Sequence, residues 1–142
     1  MVRLTVVVTL MLGGCASVGS IGKEGALSDL RQLGLPAIER LSITENGVGS
    51  PTDANPPRGC SGFMLDEGHV RRFVEGAGEV EQRDYMHTLD WSPCHARGRV
   101  EFIDGRSGVW TIRQFRTGSI MFDGGGEVFL FCPSCTWEPF AW

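Results

Sequence analysis

Two glycine-rich turns, Asp104-Gly105-Arg106-Ser107-Gly108 and Asp123-Gly124-Gly125-Gly126, constrain this chain more than any other feature. Each lies between two short runs of alternating apolar and polar residues: 99–103 and 109–114 about the first, 119–122 and 127–132 about the second. Glycine adopts the positive φ angles that tight hairpins require, and a hairpin makes its two strands antiparallel. The alternation sends Val100, Phe102, Trp110, Ile112, Ile120, Phe122, Val128 and Leu130 to one face, the core side. Phe129 and Phe131 fall on the opposite face, which is either covered by the N-terminal segment or left as an apolar interaction patch. Residues 80–91 read as one long polar strand, or a bent pair, ahead of these hairpins.

The clearest helix spans 67–77. Val70, Phe73, Val74 and Ala77 recur at i, i+3, i+4 and i+7, one apolar stripe, with Arg71, Arg72 and Glu75 on the wet side. Asp66 is an N-cap, because its carboxylate accepts from the free N–H groups of the first turn. Leu65 and Val70 sit where a hydrophobic staple belongs, and Gly76 and Gly78 supply the stop. Upstream, residues 26–33 suit a short helix carrying Leu27, Leu30 and Leu33, ended by Gly34 and Pro36. Leu41 and Ile43 alternate with Ser42 and Thr44 as a first strand, closed by Asn46-Gly47, and residues 46–59 read as a long loop. The expected fold class is α+β: one main helix packed on an antiparallel β-meander. A cystatin-like arrangement, helix first and sheet wrapped around it, is its specific form.

The N-terminus carries an address. Arg3 is a minimal basic region, and residues 4–12 are apolar but far short of the ~20 needed to span a bilayer. Leu12-Gly13-Gly14-Cys15 follows: an aliphatic residue, two small ones and a cysteine. This run resembles the signal of bacterial prolipoproteins. The resemblance implies that residues 1–14 are removed, that the Cys15 thiol is lipidated, and that the new amino group is acylated. Residues 16–25 are small and polar, a flexible tether. In the lipoproteins this signal resembles, an Asp after the cysteine commonly retains the protein in the inner membrane. Ala16 stands there instead, which implies the periplasmic face of the outer membrane. The expected organisation is a signal peptide at 1–14, the lipidated cysteine and tether at 15–36, and a single disulfide-stabilised domain at 37–142.

Removing 14 of 142 residues leaves 128, with 12 basic and 17 acidic side chains and a formal charge of −5. A nucleic-acid partner calls for a basic patch to replace phosphate counterions, and none stands out. The expected partners are the membrane, through Cys15, and an envelope protein. Four cysteines remain, Cys60, Cys94, Cys132 and Cys135, and an even number in an exported chain favours two disulfides. Cys94 follows the first meander strand and Cys132 closes the last, about four strand spacings or roughly 19 Å apart. A disulfide needs Cα atoms within ~7 Å. Cys60 precedes the helix leading to the first strand, so the expected pairs are Cys60–Cys94 and Cys132–Cys135.

Cys132-Pro133-Ser134-Cys135 invites a thiol–disulfide reading, but the strand ending there has no helix after it to lower a thiol pKa. A zinc site from Cys60, Cys94, His95, Cys132 and Cys135 lacks a second close cysteine pair, and an oxidising compartment opposes it. His69 lies in the first helical turn, His87 in the polar strand near Asp84 and Asp90, and His95 in a loop. No Gly-x-Ser-x-Gly elbow occurs, so neither enzyme, metal nor cofactor is expected. Trp91 reads as a cap on the core beside a disulfide. Trp137, Phe140 and Trp142 in the tail either fold back over a sheet edge or offer anchors to a partner, as Phe129 and Phe131 do on their face. The globular part also resembles small proteobacterial lipoproteins, through Cys60-Ser61-Gly62-Phe63, Trp91-Ser92-Pro93-Cys94, the Asp-Gly hairpin and the end Phe131 to Cys135. No activity is attached to that group, so the resemblance bears on the fold alone.

The expected function is a lipid-anchored periplasmic binding protein, of inhibitor or immunity type for example. The alternatives are an envelope assembly factor and a thiol–disulfide protein using Cys132 and Cys135. Replacing Cys15 by Ser should release the protein from the membrane fraction or leave an unprocessed precursor, because two or more acyl chains are what hold a protein stably on a bilayer. Fractionation of Cys15→Ser with membranes to the wild-type extent would contradict the lipobox.

Overall fold

The computed structural model describes residues 30–50 and 59–140. The chain runs β1 (Arg31–Gln32), β2 (Ile38–Val48), a 3₁₀ turn (Cys60–Gly62), α1 (Glu67–Gly76), β3 (Gly78–Val80), α2 (Gln82–His87), β4 (His95–Phe102), β5 (Ser107–Arg113), β6 (Thr117–Phe122) and β7 (Glu127–Phe131). All seven strands form one antiparallel sheet in the order β1-β3-β7-β6-β5-β4-β2. The architecture is α+β, with the β4–β7 meander at the centre. The two glycine turns close alike: Phe102 N–H donates to Arg106 O at 2.8 Å, and Phe122 N–H to Gly126 O at 3.0 Å.

Helix α1 lies on the inner face of this sheet. Asp66 Oδ1 accepts from His69 N–H at 2.7 Å, and His69 Nδ1 accepts from Asp66 N–H at 3.2 Å, a reciprocal cap. Val70 and Phe73 are fully buried against Val100, Phe102, Trp110, Ile112, Ile120 and Leu130. Phe122 and Val128, expected among them, are only half-buried at the margin of that cluster.

Strand β2 is longer than the sequence predicts. Asn46-Gly47 does not end it but bulges within it, so part of the expected loop is strand; residues 51–58 lie outside the described residues. The Asn46 side chain explains the continuation: Nδ2 donates to Leu65 O at 2.7 Å and Leu65 N–H donates to Oδ1 at 2.9 Å. Gly47 has φ 62°, and a Cβ there would stand 3.0 Å from Cys60 O, so the segment leading into α1 lies directly over it. Strand β4 begins four residues before its predicted start. Gly98 hides it from the alternation, and the reason for glycine is close approach: a Cβ there would lie 1.8 Å from Ser42 O on β2 and 2.8 Å from the Trp110 ring.

Three other expectations are corrected. The short helix at 26–33 is not formed where it can be seen: Arg31 and Gln32 pair with Glu79 and Gly78 in the sheet, and the rest lies outside the described residues. Tertiary pairing and the Arg31–Glu79 ion pair at 3.0 Å outweigh the leucine spacing there. The tether, expected to reach Pro36, ends sooner, since Leu33 and Leu35 pack against the core. The polar strand at 80–91 is instead the short β3 followed by α2. Tyr85 and Leu89 there are four apart, a helical spacing. His87 is therefore helical, and His95 is in β4 rather than a loop.

Cys60 bonds Cys94, with Cα atoms 4.9 Å apart, and Cys132 bonds Cys135, at 5.4 Å. The pairing is the expected one, although one premise changes. Helix α2, not the expected long strand, is the element just before Cys94, which leads into β4, three strand spacings or roughly 14 Å from the end of β7, still too far for a crossed bond. Truncating Phe73 to Ala should cost about 3–5 kcal/mol through the cavity it leaves. Asp66→Ala should cost ~1 kcal/mol by uncapping the same helix. Urea melts check both, and equal small losses would place the core elsewhere.

Candidate interaction surface

The outer face of the sheet is split in two. Alternation puts Arg97 and Arg99 of β4, Val109 and Thr111 of β5, Ser119 and Met121 of β6, and Phe129 and Phe131 of β7 on this face. Over the β7 side lies α2, whose Tyr85 ring sits 4.8 Å from that of Phe129. Phe131 is 8% exposed and carries the Arg116 guanidinium 5.7 Å over its ring. Phe129 and Phe131 therefore form no open patch, and α2 packs over Phe129; residues 1–29 of the N-terminal segment lie outside the described residues. Over β4–β6 the face is open: Met121 is 54% exposed and both Arg97 and Arg99 reach solvent.

Trp91 stands at the end of this open half. It is 55% exposed, with the Arg113 guanidinium 5.5 Å from its ring, so it does not cap the core as expected. Arg113 is held from below by Ser92 O, 3.2 Å from Nη1. His95, nearly buried beside it, has Nδ1 3.1 Å from Pro93 O and Nε2 3.5 Å from a Glu45 oxygen. At the other end Arg99 grips the Asp123 carboxylate with both Nη atoms, the Nη1–Oδ1 distance being 3.0 Å, and Ser107 Oγ donates to Asp123 at 2.6 Å. This lowers the Asp123 pKa below the usual carboxylate range, first through Arg99 and then Ser107, and raises that of Arg99. Asp104 is lowered too, first by the Arg106 backbone N–H.

The tail turns inward. Phe140 is 2% exposed, its ring 5.5 Å from Phe63 and 5.6 Å from Phe73, so it belongs to the core and cannot anchor a partner. Trp137 is half-buried on α1, 5.4 Å from His69, with the Arg72 guanidinium 4.5 Å above it. Trp142 lies outside the described residues. A groove of about 410 Å³ separates α1 from the β1–β2 link, walled by Leu33, Leu35, Ile38 and Val74 with Arg71 at its side.

The chemistry weighed from the sequence finds little purchase. Cys132 and Cys135 are both buried and bonded in a turn with no helix behind it, whereas exchange needs an accessible sulfur. All four sulfurs of the supposed zinc set are in disulfides, which leaves no thiolate to donate. Among the described residues no helix is long and apolar enough to cross a membrane. No known protein family, characterised protein or solved structure matches this chain.

Because Asp123 has a lowered pKa in the folded protein, its bonds stabilise the fold above the ordinary carboxylate value of 3.8 and fade as pH falls through the lowered one. Asp123→Asn should therefore lower the urea midpoint at pH 7, and the gap to wild type should shrink below pH 3.8. A gap that is constant from pH 7 to pH 2 would show that the carboxylate charge contributes nothing.

Proposed function

We propose that this chain is a lipid-anchored envelope protein of binding type, without catalytic activity, which engages a protein partner through the open half of its sheet. The observation that carries the reading is the uneven cover of the outer face: α2 closes the β7 side, while Trp91, beside Arg113, and Met121, in the same row as Val109 and Arg99, stand more than half exposed. Tryptophan, methionine and arginine are the residues that protein interfaces concentrate. Cys15, acylated after removal of residues 1–14, holds the domain at the periplasmic face of the outer membrane. A protective inhibitor or immunity protein is the concrete form. A cystatin-like scaffold is the specific form we propose; the placing of α1 between β2 and a four-strand meander whose first strand pairs with β2 supports it, with β1 and β3 at the far edge and α2 as additions.

A photoactivatable residue in place of Met121, in the full chain within its native envelope, should give a discrete crosslinked product. The same residue in place of Glu67, on the exposed start of α1, should give none. Trp91→Ala should lower the yield about tenfold or more, as removal of an interface anchor does. Equal crosslinking from both positions, or none from 121, would move the partner off this face.

A further inference from the structure

Five arginines of the described residues have a carboxylate at ion-pair distance: Arg31, Arg40, Arg83, Arg99 and Arg106. The other five have none among the described residues: Arg71 and Arg72 lie on α1, and Arg97, Arg113 and Arg116 lie towards one end of the sheet on its outer face. Arg97 faces Thr111 across the β4–β5 ladder while Arg113 faces His95, which makes the two diagonal neighbours about 7–8 Å apart. Arg116, in the turn after β5, lays its guanidinium on Phe131 of the same face. The nearest facing acid, Glu45, directs its carboxylate at His95.

The last two arginines are also fixed in direction. Each gives an Nη1–H to a backbone carbonyl, Ser92 O at 3.2 Å and Pro133 O at 3.1 Å, and each lies over an aromatic ring. The Nε of each is shut from water with no hydrogen-bond partner. Arg116 additionally holds φ 66°, in the left-handed region that a side chain of its size disfavours. Guanidinium groups set in this way without counter-charge are costly in the free protein, and an incoming carboxylate relieves the cost.

Resting on the docking face proposed above, we infer that its partner presents an acidic polypeptide segment, whose carboxylates dock on Arg97 and Arg113 beside Trp91, with Arg116 at the border of the covered β7 side. Arginines held by carbonyls and rings suit discrete, directional carboxylates. Anionic bilayers are instead attracted by flexible clusters of four to eight basic residues. The chain as a whole carries a formal charge of −4, so the attraction belongs to this end of the sheet and not to the protein's overall field.

The test uses the full chain in phosphatidylcholine nanodiscs and a fluorescent 20-residue glutamate peptide, with the glutamine peptide as control. The glutamate peptide should bind, more weakly as salt rises, and the glutamine peptide should not. Arg97→Glu, at an exposed and unpaired site, should weaken binding about tenfold or more, whereas Arg72→Glu on α1 should leave it unchanged. Arg113→Gln should weaken it as well; its urea midpoint reports separately any loss of fold. No binding of the glutamate peptide, or equal loss with Arg72→Glu, overturns the inference. So does attachment only to nanodiscs containing phosphatidylglycerol, which would make the occupant a lipid surface. If crosslinking from position 121 persists while the glutamate peptide fails to bind, the docking face stands and the acidic partner falls.

Discussion

Strand β2 meets the meander across Gly98, where its backbone comes so near that a single methyl group would collide with Ser42 O, and where the Trp110 ring fills the space from the other side. Much of the rest follows from that contact. With β2 seated on β4, Asn46 comes beneath Leu65 and fixes the chain just before α1. The Cys60–Cys94 bond ties the same region to the start of β4. Helix α1 is thereby delivered over the inner face with Val70 and Phe73 pointing at the sheet, and its cap at Asp66 sets where it begins. Packing, hydrogen bonding and covalent closure agree at this corner, the consistency expected of a sequence that specifies one structure.

The parts of the fold legible in the sequence are those governed by local periodicity. The hairpins at Asp104-Gly105 and Asp123-Gly124, the stripe on α1 and its Asp66 cap depend on residues a few positions apart, and they appear as read. What escaped depends on distant partners. Gly98 breaks the β4 alternation because of Ser42, fifty-six positions earlier in the chain. Asn46-Gly47 looks like a turn because its role is to hold Leu65, and Arg31-Gln32 looks helical because its pairing residues are Glu79 and Gly78. The disulfide pairs were legible through distance arguments even though one strand in the argument does not exist.

The candidate site was legible only in outline. Aromatic residues can be picked out from the sequence, but their solvent exposure cannot. Phe129 and Phe131 lie under Tyr85 and Arg116, and Phe140 is core. Trp91, taken as a core cap, is the exposed one. Its position follows from α2, which itself went unrecognised because two apolar residues in a polar stretch give little periodicity. The arginines of this end could not have been placed without the ladder register, since Arg97 and Arg113 become diagonal neighbours only once β4 and β5 are paired, and Arg116 joins that end through the turn between β5 and β6.

The placement of Phe140 between Phe63 and Phe73 has a bearing on the order of folding. These rings come from three segments: one before α1, one within it, and one after the last strand. As the chain is made from its N-terminus, Phe63 and Phe73 are made long before the ring that packs against both. The hydrophobic cluster stays open until β7 and the tail have emerged, and contacts of such sequence separation form late. A growing chain of this kind leaves the apolar stripe of α1 without one of its partner rings until Phe140 has been made.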